Sequence, residues 1–211
     1  YRKDESVNTL ILMNHGIFTF SDDAKESYSL MIKAVTQAEK YIKKTSKKVP
    51  SRKIKKSKLH PDQIGPILRG LVCDNENDSS FIVNYRRTTT LMNYLNGKNF
   101  KSYSQQGTVT PDHVIRIKPT PLLIDATHLC SIDEFKKLAL KSINTYKLKY
   151  INYFKTHARN RKLKMLDPYP RLIYVKGVGL FSVGTDLKSC KINADLAETN
   201  ADVVMKVESS S

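Results

Sequence analysis

The sequence predicts an α/β protein, a layered sheet with helices on its faces, and three observations carry that expectation. Residues 7–20, VNTLILMNHGIFTF, read as two apolar β-runs broken at Asn14-His15-Gly16, where glycine allows backbone angles that side chains resist. Helix-start chemistry follows at once, with Asp23 as cap and Glu26 three residues on as a capping box. The third observation is a repeat: LIYVKGVGLFSVGTDLK at 172–188 has the character of LILMNHGIFTFSDDAK at 10–25.

Taken in order, the first unit is strand, turn, strand, helix. Tyr28, Ile32, Val35, Ala38 and Ile42 stand at spacings of three and four, which predicts one buried helix face. The segment from Lys43 to His60 holds nine Lys or Arg, no acid and Pro50, and reads as an exposed, self-repelling connector. Beyond it a short helix is predicted over Asp62–Leu71 ending at Gly70, a strand over Phe81–Tyr85, and a helix over Thr88–Leu95 closed by Asn96-Gly97. Residues 107–119, bracketed by Pro111 and Pro119, read as extended. Ser131 with Glu134 forms a second capping box, opening a long helix to about Lys162 with Leu138, Ile143, Tyr146, Tyr150 and Tyr153 near one face.

A shift of 163 residues superposes the two similar segments, matching Gly16 with Gly179, Phe18 with Phe181, Asp23 with Asp186 and Lys25 with Lys188. These identities and the shared order of elements predict a duplication. His15 falls opposite Val178, so any chemistry of His15 is absent from the second copy.

Composition excludes several classes. With 211 residues and 40% hydrophobic content, the chain can bury roughly 70% of its unfolded surface, which excludes disorder throughout. No run approaches the roughly 20 apolar residues that a membrane-spanning helix needs. Cys73, Cys130 and Cys190 fit neither a disulfide framework nor a C-x-x-C motif, so a reducing, cytoplasmic setting is expected. Tyr1 stands where an initiator Met would, and Arg2–Glu5 is too polar for a signal peptide, so a piece of a longer chain is expected. The formal charge of +16 and the run at 43–60 raise a polyanion partner, but that run contains no aromatic residue for base stacking. A solvated loop is the expectation there, and neither nucleic acid nor membrane is an expected partner.

LILMNHGIFTFSDDAKESY resembles the histidine-glycine segment of the class II aldolase and adducin superfamily. GTVTPDHVIRIKPTPL at 107–122, YINYF at 150–154 and PRLIYVKGVGLFSVGTDLK at 170–188 resemble the aldolase region of bifunctional proteins that join a rhamnulose-1-phosphate aldolase to a short-chain dehydrogenase. The resemblance implies a layered α/β/α sheet. It divides the chain into the back of an aldolase-like domain (1–48), a basic linker (49–60) and a degenerate aldolase-like copy (61–211). It implies a lyase that cleaves a ketose 1-phosphate to dihydroxyacetone phosphate and an aldehyde. It also implies a homo-oligomer with sites between subunits, and a divalent metal, Zn2+ by the family's habit, with His15 as one of three histidine ligands. Neutral imidazole suits that ion, and three protein ligands leave a position open for substrate oxygens.

Asp112 and His113 are the catalytic candidates and Arg116 and Lys118 the substrate-binding candidates, the cations for a phosphate. The plainer reading of that stretch is a structural strand with an Asp112–Arg116 ion pair. The chain departs from the superfamily in having no H-x-H and no G-x-G-x-x-G, so NAD would enter only through a dehydrogenase domain absent from it. The chain alone is therefore expected to be inactive. A non-catalytic, adducin-like scaffold is the competing reading.

Overall fold

The computed structural model describes residues 6–13, 15–47, 49, 57–73, 80–159 and 161–210. Its centre is a four-stranded sheet. Strands β5 (Leu172–Lys176) and β6 (Gly179–Gly184) form an antiparallel hairpin, with Leu172 opposite Ser182 and Val175 opposite Gly179. Strand β3 (Ile82–Arg86) lies antiparallel on β6, Ile82 facing Gly184. Strand β4 (Leu122–Asp125) runs parallel to β5, Leu122 facing Ile173. The order is β3-β6-β5-β4. A parallel pair requires a crossover, and helix α6 (Ile132–Ala158) supplies it.

Both inner strands are buried almost throughout, without alternation, because helices cover both faces. On one face α2 (Pro61–Val72) and α6 share a core with the sheet, inserting Ile64, Leu68 and Val72 from α2 and Phe135, Ala139 and Ile143 from α6. On the other, α3 (Thr89–Asn96) and α7 (Leu187–Ser210) pack Leu91, Tyr94 and Leu95 with Ala194, Ala197 and Ala201. The short helices α4 (Phe100–Tyr103) and α5 (His113–Ile117) complete that second core through Phe100, Tyr103 and Ile117. The layered α/β/α arrangement expected of 61–211 is therefore present. The Ser131–Glu134 capping box forms as the spacing predicts, the Glu134 N–H donating to Ser131 Oγ at 3.2 Å and the Ser131 N–H to Glu134 Oε2 at 3.3 Å.

The first unit is a separate two-stranded hairpin of β1 (Thr9–Leu12) and β2 (Gly16–Thr19) followed by α1 (Ala24–Thr45). Asp23 caps α1, accepting from the Lys25 and Glu26 N–H groups at 3.2 and 3.3 Å. Glu26 takes the Ser21 hydroxyl, a different partner from the one a capping box assigns it. In the hairpin unit at the other end of the chain, Asp186 accepts from the Ser189 N–H at 2.7 Å at the start of α7. Gly16 and Gly179 hold φ of 156° and 155°.

Five expectations need correction. The predicted buried face of α1 is open to solvent: Tyr28 is 69% exposed, and Ile32, Val35 and Ala38 are exposed too. A two-stranded hairpin is too narrow to cover it, and α1 packs chiefly on β2 and α7. Residues 107–119 are not extended, because after Pro111 the chain turns into α5, with the Lys118 N–H donating to Val114 O at 3.0 Å. α2 continues past Gly70 to Val72, which its buried stripe requires, and α6 stops at Ala158, where Arg159 takes a φ of 41°. In the basic run, Lys43 and Lys44 form the last turn of α1, where cations suit the helix dipole, while positions 48 and 50–56 lie outside the described residues. No helix among the described residues is long and apolar enough to cross a membrane.

Candidate functional site

His15 follows the β1–β2 turn, its N–H donating to Leu12 O at 3.1 Å. Its exposed ring stacks on Phe18 at 5.6 Å between centroids and 25° between planes, which gives the imidazole a defined direction. It offers one nitrogen donor, and among the described residues no group of three or more His, Cys, Asp or Glu converges to hold a metal. The residues described here therefore do not make a metal site by themselves.

The other candidates lie at α5. Asp112 is exposed at the helix N-cap position and makes no side-chain cap hydrogen bond. His113 is half-buried, with Nδ1 enclosed and without a protein partner. Arg116 is exposed on the last turn, and no Asp112–Arg116 ion pair forms among the described residues. The two charged ends thus reach solvent separately, and His113 alone turns inward.

Lys118 is placed quite differently. Its side chain is 2% exposed, its φ is 63°, and Nζ donates to the backbone O of Asp167 and lies 3.5 Å from Asp167 Oδ1. The ammonium also stands 4.0 Å from the centroid of the Tyr150 ring, a cation–π distance. Burial pushes its pKa down to about 8, opposed by Asp167 and assisted by the nearby Arg171. Burial would raise the Asp167 carboxyl, but the Arg171 hydrogen bonds and charge outweigh it and hold Asp167 below the usual range. Arg171 Nη1 donates to Asp167 Oδ1 at 2.9 Å. Lys118, Asp167, Arg171 and Tyr150 form a charge cluster that ties α5 and α6 to the strand entering the sheet. Asp167 and Arg171 escaped the sequence reading, since an acid and a base four residues apart in a loop carry no motif.

Chemically, the α5 surface offers one guanidinium and one carboxylate without an ion-pair partner among the described residues, and one enclosed imidazole. Among the described residues no hydrogen bond or ion pair joins His15 to Asp112, His113 or Arg116; α5 packs on α7, and the hairpin on α1. A cavity of about 660 Å³ lies elsewhere, between α6 and the start of β4. Tyr146, Tyr150 and Tyr153, predicted near one face of this helix, line it.

Residues 60–211 match the family model described as aldolase class II, second domain. Across almost the whole chain, the uncharacterized oxidoreductase YuxG of Bacillus subtilis (strain 168) is 25% identical over 210 residues, covering 93% of this chain and 29% of that protein. The chain thus spans less than a third of the length of this relative. No solved structure matches. With its α/β/α unit coinciding with the matched residues, the chain belongs to the class II aldolase family.

Proposed function

We propose that this chain is part of a bifunctional protein in which an aldolase region cleaves a ketose 1-phosphate, rhamnulose 1-phosphate or a close relative, to dihydroxyacetone phosphate and an aldehyde. The observation that carries this reading is the family match across the α/β/α unit at 60–211. The word oxidoreductase in the name of the Bacillus relative, more than three times as long by coverage, supports a dehydrogenase half elsewhere in the protein, where NAD would bind. On this reading the protein works as a homo-oligomer in the cytoplasm.

Residues 1–48 are then the back of one aldolase-like domain, 49–60 a linker, and 61–211 a degenerate copy. The matching φ of Gly16 and Gly179 and the two aspartate caps, Asp23 and Asp186, support the duplication. His15 is proposed as one ligand of a divalent metal, Zn2+ by family habit, whose other ligands come from outside the described residues. Its exposed ring, steadied by Phe18, suits that role. Arg116 is the group proposed to meet a phosphate, with Asp112 and His113 beside it for proton transfer. Lys118, sequestered by Asp167, would act by fixing α5.

The test is metal content by mass spectrometry and aldol cleavage of rhamnulose 1-phosphate, on the whole protein and its His15→Ala variant. Stoichiometric metal and cleavage, both lost with His15→Ala, are expected. Absence of metal from the whole protein would overturn the reading. The inward commitment of Lys118, a cation spent on the fold, favours the adducin-like scaffold as the second reading.

A further inference from the structure

The cavity beside α6 is independent of that reading and has a chemistry of its own. One wall is the α6 face carrying Leu138, Tyr146 and Tyr150, and the facing wall is the segment Pro119–Leu123 that leads into β4. Lys101 and Gln105 close it from the α4 side. Since α6 covers one face of the sheet and α4 packs in the core on the other, the groove straddles the outer edge of β4, the terminal strand.

Three cations stand around this groove. Lys141 and Lys149 are two turns apart on α6, about 12 Å by helix rise, and Lys101 faces them from the opposite wall. None of the three forms an ion pair with a described residue, and no carboxylate of a described residue lines the cavity. By contrast, Lys118 is engaged by Asp167, Lys147 by the Tyr169 hydroxyl at 3.3 Å, and Lys176 by Asp125 at 3.2 Å. Three unpaired ammonium groups around an apolar floor repel one another, and an anion with an apolar body relieves that repulsion while covering the floor.

The floor is also held in place before anything binds. The Tyr146 hydroxyl donates to Thr120 O at 3.0 Å, and the Tyr150 ring rests against the buried Lys118 ammonium. An added β-strand is disfavoured as the occupant. Pro121 has no N–H, the Pro121 and Thr120 carbonyls already accept from Gln105 and Tyr146, and β4 is four residues long. The volume falls inside the range of small-molecule sites, roughly 300–1,000 Å³. We propose that this groove is a binding site for an amphipathic organic anion, a carboxylate or phosphate monoester joined to an aliphatic or aryl body.

The experiment is calorimetric titration of the chain with decanoate and with decyl phosphate below their micelle concentrations, and with decanol as the uncharged control. One-to-one binding of at least one anion is expected, and the tighter of the two identifies the headgroup class. Joint replacement Lys141→Glu and Lys149→Glu, both at the surface, should weaken the anion about tenfold while leaving the circular dichroism spectrum unchanged. Ser142→Trp, which fills the groove from its α6 wall, should abolish binding. Failure of both anions to bind, decanol binding as tightly as they do, or equal affinity in the charge-reversed variant would each overturn the proposal. None of these results depends on metal content or aldol cleavage, so this site and the aldolase reading stand or fall separately.

Discussion

The ammonium of Lys118 lies 4.0 Å from the centre of the Tyr150 ring and 3.5 Å from Asp167 Oδ1. A lysine whose folded pKa is near 8 rather than 10.5 loses its proton in the folded chain while the unfolded chain still keeps it. Between those two values the unfolded state binds more protons, so stability from this group rises with pH, and below about 8 its burial cost is constant. Lys118→Met leaves Asp167 paired with Arg171 and removes that slope. From pH 8 to 9.5 the wild type should therefore gain about 2 kcal/mol on the variant. Denaturant melts of both at several pH values check this, and parallel pH profiles would refute it.

Gly179 and Gly16 share a backbone angle but not a neighbourhood. A Cβ at Gly179 would stand 2.9 Å from Tyr85 Cε2 and 3.0 Å from the Arg86 carbonyl oxygen, whereas Gly16 has open space around it. Gly179→Ala should cost about 3 kcal/mol, combining strain with displacement of β3, and Gly16→Ala about 1 kcal/mol from strain alone. Urea unfolding of the two variants, with equal losses counting against the idea, is the measurement.

Ala194, Ala197 and Ala201 of α7 share a core with Leu91, Tyr94 and Leu95, all buried from solvent. Ala197→Leu should destabilise the chain by about 1–3 kcal/mol through overpacking. Thermal unfolding followed by circular dichroism reports it, and an unchanged Tm would show that this interface is loose.

Ile11 and Met13, on the β1–β2 hairpin, are 74% and 90% exposed beside other apolar side chains. Such a patch promotes association. The chain should sediment with a concentration-dependent mass, and Ile11→Lys together with Met13→Lys should reduce that mass without lowering the Tm. Association that persists in the double variant would place the contact elsewhere.

What was legible in the sequence was what local chemistry decides. Asp23, Ser131 and Glu134 announce their helices because caps act within one turn, and Gly179 marks its hairpin because its backbone angle requires glycine. The fate of α1 was not legible: its apolar spacing is that of a buried helix, but burial depends on a wide partner layer, which periodicity does not encode. The 107–119 stretch misled because prolines suit both an extended run and the first turn of a helix. For the candidate site the limits were similar. His15 was found at its turn, but Lys118 looked like a free cation until Asp167, 49 residues away, was seen to hold it.

The order β3-β6-β5-β4 puts the last strands made at the centre of the sheet and the earlier ones at its edges. During vectorial synthesis β3 and β4 emerge with no partner available to either, since they never pair with each other. Assembly has to wait for residues 172–184 to leave the ribosome, and only then can all four strands zip together around a hairpin that forms quickly on its own. The nascent chain up to that moment carries two orphan strands and loose helices, so holdase chaperones have a window set by the position of one late hairpin.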